Sequence, residues 1–274
     1  TLTQRDLTLD SKLSWTAELG RFESQLVAGV QGFFTERNQP GAIGQSYPGP
    51  GLEVAGATLT QQVTEQRLTT VNGGFFLQHQ LGFDDWIFTT LGGRYDYASA
   101  FGEQAPGVFY PKLSVSVVPS DRKGWSPKLG ISSLRLRAAI GESGRQPGAF
   151  DQFTTFGPLQ TGTGIGLVPL NLGNARLAPE ISREEEVGFE LGLLGERLSI
   201  GATGWQRDVR DALVPVQFSP AGGFLLQQLA NVGQLRARGA ELKVDAIAVN
   251  RQHVSLNLFA NGAYLWQRIT RLGA

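Results

Sequence analysis

His79 and His253 are the only histidines of the 274-residue chain, and cysteine is absent. That leaves little to bind a transition metal, and both histidines read as structural strand residues. The triplet Glu184-Glu185-Glu186 lacks the ligand spacing of a calcium loop, so an arginine-paired or solvated face suits it better. Ser143, within Gly141-Glu142-Ser143-Gly144, misses the full Gly-x-Ser-x-Gly elbow that would expose a nucleophile. The run Gly162-Thr163-Gly164-Ile165-Gly166 has no lysine after it and opens no helix, so it is no phosphate cradle. We therefore predict no catalytic residue, no metal site and no cofactor.

Two other groups have the right chemistry for binding. Arg94, Asp96, Arg135, Arg137, Glu184, Glu186 and Glu190 form a set of ions that recurs at alternate positions. The segment from Arg145 and Gln146 to Phe150, Asp151, Phe153 and Phe156 sets phenyl rings beside amide and charged groups. Such a mixture stacks on a sugar ring or a peptide while fixing its polar groups. The same rings could instead pack the segment against its neighbours. Both readings stand at this stage.

The elements that must position these groups follow a period of two. Val187, Phe189, Leu191 and Leu193 alternate with Glu186, Gly188, Glu190 and Gly192. That is a strand with one oily and one wet face. Leu198, Ile200 and Ala202 alternate with Ser199, Gly201 and Thr203, and Gly195-Glu196 between the two runs predicts a tight hairpin. The same alternation recurs from Asp6 to Trp266 and predicts about ten strands. Short turns fall at Gly20-Arg21, residues 82–85, Gly195-Glu196 and Asn250-Arg251. Long connections are expected at 36–62, 98–107, 146–180 and 211–232, the last with a strand extension through Leu225 and Leu226, and a polar connector at 119–133.

Short turns alternating with long loops describe an up-and-down barrel wall rather than a Greek-key sandwich. Formal charge is zero, so nothing points to nucleic acid. No stretch of about 18 apolar residues predicts a membrane helix, but strands cross a membrane without one. The oily parity carries almost no charge over the length that hydrocarbon would cover. Phe22, Phe34, Trp86, Tyr95, Tyr97, Tyr264 and Trp266 suit interfacial girdles. The fold class is thus all-β, an antiparallel up-and-down transmembrane barrel in contact with outer-membrane lipid. Thr1-Leu2-Thr3-Gln4-Arg5 already alternates, so the chain is expected to be an interior piece, without signal peptide, of a longer protein.

Several motifs occur in order at barrel spacing. They include Gly173-Asn174-Ala175-Arg176-Leu177-Ala178-Pro179-Glu180, Trp205-Gln206-Arg207-Asp208 and Asn231-Val232-Gly233 with Gly239-Ala240-Glu241-Leu242. Together they resemble TonB-dependent outer-membrane transporters. Gly93-Arg94-Tyr95-Asp96, Tyr110-Pro111-Lys112-Leu113-Ser114 and the run from Leu134 to Gly148 are most similar to the SusC/RagA-like branch. The resemblance implies a barrel of roughly 22 strands around an N-terminal plug. Residues 1–274 would then be part of the barrel domain, with the plug and the other strands outside it. It also implies energy-coupled import of a glycan, a peptide or a metal chelate across the bacterial outer membrane. The implied partners are the TonB energy-coupling complex, engaged through the missing N-terminal part, and a SusD-like surface lipoprotein. In that setting the alternating ions line the lumen, where they either form a polar path for solute or hold the plug; the second reading is favoured. A passive porin, an adhesin barrel and a soluble β-sandwich binding module are the rival readings. Two unpaired edges also predict that this piece alone does not insert as a stable barrel.

Overall fold

A computed structural model describes residues 2–273, apart from 52–53, 127–129, 163 and 218–226. Ten strands form one antiparallel sheet. They are β1 (Thr3–Leu19), β2 (Phe22–Gln45), β3 (Thr60–Phe83), β4 (Ile87–Ala98), β5 (Val108–Val117), β6 (Ile131–Arg145), β9 (Glu180–Leu193), β10 (Leu198–Gln217), β11 (Gln227–Arg251) and β12 (Val254–Leu272). Each pairs with the next in this order, so the wall runs up and down without a crossover. A separate hairpin, β7 (Thr155–Thr161) with β8 (Gly164–Asn171), sits inside the β6–β9 connection.

Register assigns each residue to a face. Leu9 pairs Gly32, Leu13 pairs Ala28, Leu26 pairs His79 and Leu77 pairs Gly93, all on the oily parity. Across the later strands Leu136, Phe189, Ala202, Leu242 and Gly262 form one row of that face. The wall is a single layer, so these side chains have no protein above them: Leu13 is 75% exposed and Val187 63%. In water that surface would be a large aggregation liability; in a bilayer it is the lipid face. His79 lies on this face and meets the Ser24 hydroxyl at 2.9 Å, which satisfies a polar ring that lipid cannot.

Several predicted connections turn out to contain strand. β2 runs through Pro40 to Gln45 and pairs with β3 down to Thr60, so the expected 36–62 loop shrinks to the residues between them. β10 reaches Gln217 and β11 starts at Gln227, which cuts into the expected 211–232 loop; Leu225 and Leu226 lie outside the described residues. The 146–180 connection holds β7 and β8; Gly162 belongs to their turn and Gly164 opens β8. The β9–β10 turn spans residues 194–197 rather than two residues, with positive φ at Leu194, Gly195 and Glu196. His253 stands in the β11–β12 turn, not on a strand.

Proline explains why the extensions are hard to read. Pro40 lies beyond Asn38, the last β2 residue opposite β1. Pro111 precedes Lys112, where pairing of β5 with β6 begins. Pro215 lies beyond Arg210, the last β10 residue opposite β9. Each sits where its strand has only one neighbour, so the missing N–H breaks no second ladder.

Turns 20–21, 84–86, 194–197 and 252–253 share one end of the wall with the connector 118–130. That connector is longer than its neighbours, but it is fastened down. Val118 donates to the Trp86 carbonyl at 2.7 Å, Leu194 to that of Gly130 at 2.8 Å, and Arg122 covers the Trp86 ring at 5.7 Å. The other connections lie at the opposite end, the mouth.

Candidate functional site

The mouth holds most of what is buried. Leu177, Ala98, Ala100 and Phe101 are among the few apolar side chains screened from solvent, with Leu177 at 0%. They belong to the end of β4 and to the β4–β5 and β6–β9 connections, which pack on each other. Gly102 N–H donates to the Leu177 carbonyl at 2.8 Å and Gln104 N–H to that of Ala175 at 2.9 Å. A Cβ on Gly102 would lie 2.2 Å from the Ala175 oxygen, and one on Gly173 would lie 2.3 Å from the Phe153 carbonyl carbon. Only glycine permits backbones to approach that closely.

Two asparagines of the sequence motifs fasten this layer to the wall. Asn231 donates to the carbonyls of Ala178 (2.7 Å) and Asp211 (2.9 Å) and accepts from Ala178 N–H at 2.9 Å. Asn174 donates to the Leu229 carbonyl at 3.1 Å, and Gln228 to that of Gly173 at 2.6 Å. The motif from Gly173 to Glu180 is therefore a clamp between the long connection and the start of β11. Sequence reading picked out the motif but not this use of it.

The aromatic segment hangs from the clamp. Asn171 donates to the carbonyls of Phe150 (3.2 Å) and Phe153 (2.9 Å), and Asp151 accepts from Gly148 N–H at 2.6 Å. Asp151 is thus engaged in shaping its own turn. Phe150, Phe153 and Phe156 are 45, 47 and 56% exposed. Their rings do not fill the loop's interior. Register places Phe156, Pro158, Ile165 and Leu167 on one face of the β7–β8 hairpin, and that face is exposed as well.

Below the loop, the wet face of β6, β9 and β10 forms a groove of about 680 Å³ lined by Lys112, Ser143, Arg145, Glu184, Glu186 and Arg207. Arg145 therefore belongs to the wall groove, 3.9 Å from Glu180, while Gln146 is exposed beyond it. Arg207 pairs with Glu184 at 2.6 Å and covers the Trp205 ring at 5.6 Å. Neither Arg207 nor Trp205 was singled out from the sequence as a site residue. Counting the β10 alternation through Thr203 to Val209 would have put both on the wet side.

The other alternating ions fall into two separate clusters on that face. Arg137 and Arg135 approach Glu190 at 3.3 and 3.7 Å, and Arg137 also donates to the Thr203 hydroxyl at 2.7 Å. Arg94 pairs with Asp96 at 2.5 Å and, across β3, with the Gln31 amide oxygen of β2. Among the described residues no three His, Asp or Glu side chains converge as a metal site.

Residues 1–273 match the family described as TonB dependent receptor-like, beta-barrel. TonB-dependent receptor P26 of Formosa agariphila is 29% identical over 64% of this chain, and receptor P39 of the same organism is 25% identical over 69%. Those alignments span 18% of each relative, so the chain represents under a fifth of their length. Among solved structures, the RagAB peptide transporter superposes with a TM-score of 0.85 at 20% identity, over 99% of this chain and 30% of that one. The Escherichia coli outer-membrane transporter YddB gives 0.67 at 13% identity, over 98% and 34%. The Pseudomonas aeruginosa ferric enterobactin receptor PfeA gives 0.63 at 18% identity, over 97% and 36%. Of these three the RagAB transporter superposes with the highest score, in keeping with the SusC/RagA-like resemblance of the motifs. The chain is a wall segment of an outer-membrane β-barrel, and it belongs to the TonB-dependent receptor β-barrel family.

Proposed function

We propose that the protein containing this wall imports a large nutrient across the outer membrane, driven by the TonB complex through a plug outside these residues. The observation that carries this is the stacking of two layers at one end: an exposed aromatic loop on a rigid clamp, above an ion-lined groove on the lumen face. The loop would make first contact through Phe150, Phe153 and Phe156. The groove, with Arg145, Glu184, Glu186 and Arg207, would take polar parts of the solute or receive the plug. Arg94, Asp96, Arg135, Arg137 and Glu190 pair among themselves or with neighbours, which favours wall–plug adhesion over direct solute contact. A peptide is the favoured cargo, because a peptide transporter superposes with a TM-score of 0.85. A surface lipoprotein of SusD type would cover the mouth, with the apolar face of the β7–β8 hairpin as its contact. We read the protein as a transporter and not as an enzyme.

The test is uptake of a fluorescent oligopeptide by cells making the full-length protein, with labelled oligosaccharide and ferric siderophore run in parallel. The reading expects peptide uptake that stops when TonB is deleted. Uptake that persists without TonB would identify a passive porin. Alanine at Phe150, Phe153 and Phe156 together should lower peptide affinity while the barrel stays folded; unchanged affinity would remove the rings from the site.

A further inference from the structure

Two hairpins at the mouth, β2–β3 and β10–β11, outrun a neighbouring strand, and their free edges are treated differently. β10 continues past Arg210, its last residue opposite β9, as far as Gln217. That overhang is blunted. Asp211 bulges with a φ of 55°, the Leu213 N–H is taken by the Glu180 carboxylate at 3.3 Å, and Pro215 has no N–H to offer. Such devices keep a strand edge from pairing with another chain.

β3 carries no such device. Its neighbour β4 ends at Ala98, opposite Asn72, and the chain then turns into the β4–β5 connection. Ser99 finishes the ladder: its N–H donates to the Val71 carbonyl at 2.8 Å, and its hydroxyl accepts from the Val71 N–H at 3.0 Å. Both backbone groups of Val71 thus aim away from β2. Pairing of β3 with β2 runs without a register shift up to Thr60. The alternation of an antiparallel ladder therefore aims both groups of Thr69, Arg67, Glu65, Val63 and Gln61 the same way as those of Val71. Pro40 fits this count. It stands opposite Glu65, a pair that exchanges no bonds, so its missing N–H costs the ladder nothing.

Among the described residues these outward N–H and C=O groups have no hydrogen-bond partner. The segment from Thr60 to Thr70 contains no proline, glycine or bulge, and most of it is exposed. Glu65 and Arg67 pair with each other along the strand at 3.5 Å. From Gln61 to Thr69 the bare edge is about 27 Å long, at the usual rise of an antiparallel strand.

We propose, on the reading of the protein as a peptide importer, that this edge captures an extended peptide as an added strand beside β3, above the β4–β5 connection. The edge offers alternating N–H and C=O groups at strand spacing, and along its length only another polypeptide backbone matches them. On the lumen parity the flanking side chains are Gln62, Thr64, Gln66 and Thr70, all uncharged hydroxyls and amides. They set no charge requirement for the guest, so capture through the backbone tolerates many peptide sequences. The edge is a second peptide contact on the rim, apart from the phenylalanine loop and the lumen groove.

Amide hydrogen exchange in the full-length receptor tests this, read by mass spectrometry over residues 60–70 with a mixed-sequence decapeptide as the probe. Without peptide, the amides of Gln61, Val63, Glu65, Arg67 and Thr69 should exchange fast, while those between them, bonded to β2, stay protected. Saturating peptide should slow the fast set at least about tenfold. Val63→Pro with Arg67→Pro removes two outward donors and spares the β2 ladder, so peptide binding should weaken at least about tenfold. If that variant does not fold, the wild type should show the same loss toward the decapeptide N-methylated at successive central residues, which cannot pair on either edge. A scrambled decapeptide should bind within about twofold of the original, since main-chain bonds carry the affinity. Peptide that binds with exchange over 60–70 unchanged, or equally well after N-methylation, would overturn the capture and leave the importer reading intact. Protection of the fast set before peptide is added would also overturn it, since another segment of the receptor or a lipoprotein would then hold the edge. A receptor that binds no peptide at all would contradict the importer reading itself, and the capture with it.

Discussion

The wall and the mouth of this protein are stabilised in opposite ways. The wall has no interior: Leu13 is 75% exposed, and the side chains of its oily face wait for acyl chains. The mouth is a small protein core in the ordinary sense, with Leu177 at 0% exposure and Asn231 bonded three times to backbone. Ladder hydrogen bonds and lipid hold the one; side-chain packing and capped backbone hold the other. The contrast teaches that the mouth should keep its shape in detergent, where the wall's support differs from that in a bilayer.

Changes at one region should therefore respond differently to solvent from changes at the other. Leu177→Ala should destabilise the full-length protein most, by about 2–5 kcal/mol, because the cavity lies among protein atoms. Urea unfolding in lipid vesicles and in detergent should give the same loss; a loss seen only in vesicles would break the contrast. Val187→Arg should cost about 2–4 kcal/mol in vesicles, as a charge at hydrocarbon depth does. In detergent that cost should shrink, and Ser199→Arg on the wet face of β10 should cost little in either.

Asn231→Ala comes next, at about 1 kcal/mol, since it leaves half-buried backbone groups of the clamp without partners. Proteolysis within 146–179 should rise while the β9–β10 hairpin stays protected. The smallest effect belongs to the turn end. There the hydrogen bond from the Arg21 guanidinium, with its charge and that of Lys123, holds the Asp84 carboxyl below the ordinary carboxylate range. A depressed folded value means the pair stabilises at neutral pH and stops doing so as pH falls through that value. Asp84→Asn should remove this small acid dependence, read as the pH profile of unfolding, and leave the mouth unaffected.

How much of this was legible depended on which region was read. Period-two alternation located the wall strands and both of their faces, because a wall strand meets only two environments and each residue must choose one. The alternation failed where strands outrun their neighbours. Pro40 and Pro215 look like breakers, yet each sits on a one-sided ladder where the missing N–H costs nothing. The β7–β8 hairpin hid in a run of glycine and proline for the same reason. At the mouth the motif around Asn174 and Asn231 was visible, but its role was not. Its partners are backbone groups of distant segments, and no residue type advertises a backbone group. Arg145 stood in one sequence segment with the phenylalanines, although the fold assigns it to the groove.

The claim beneath all of this is that alternate residues of β9 meet lipid and an aqueous lumen. These 274 residues hold no cysteine, so once any cysteine elsewhere in the full-length protein is replaced, a nitroxide can be attached singly at Val187→Cys, Phe189→Cys, Glu186→Cys and Glu190→Cys in bilayers. Electron paramagnetic resonance with oxygen and a water-soluble nickel complex then reads each environment. The account predicts oxygen access with nickel exclusion at 187 and 189, and the reverse preference at 186 and 190. Positions 187 and 189 shielded from both probes would mean that protein, not lipid, covers the oily face, and the account would be wrong.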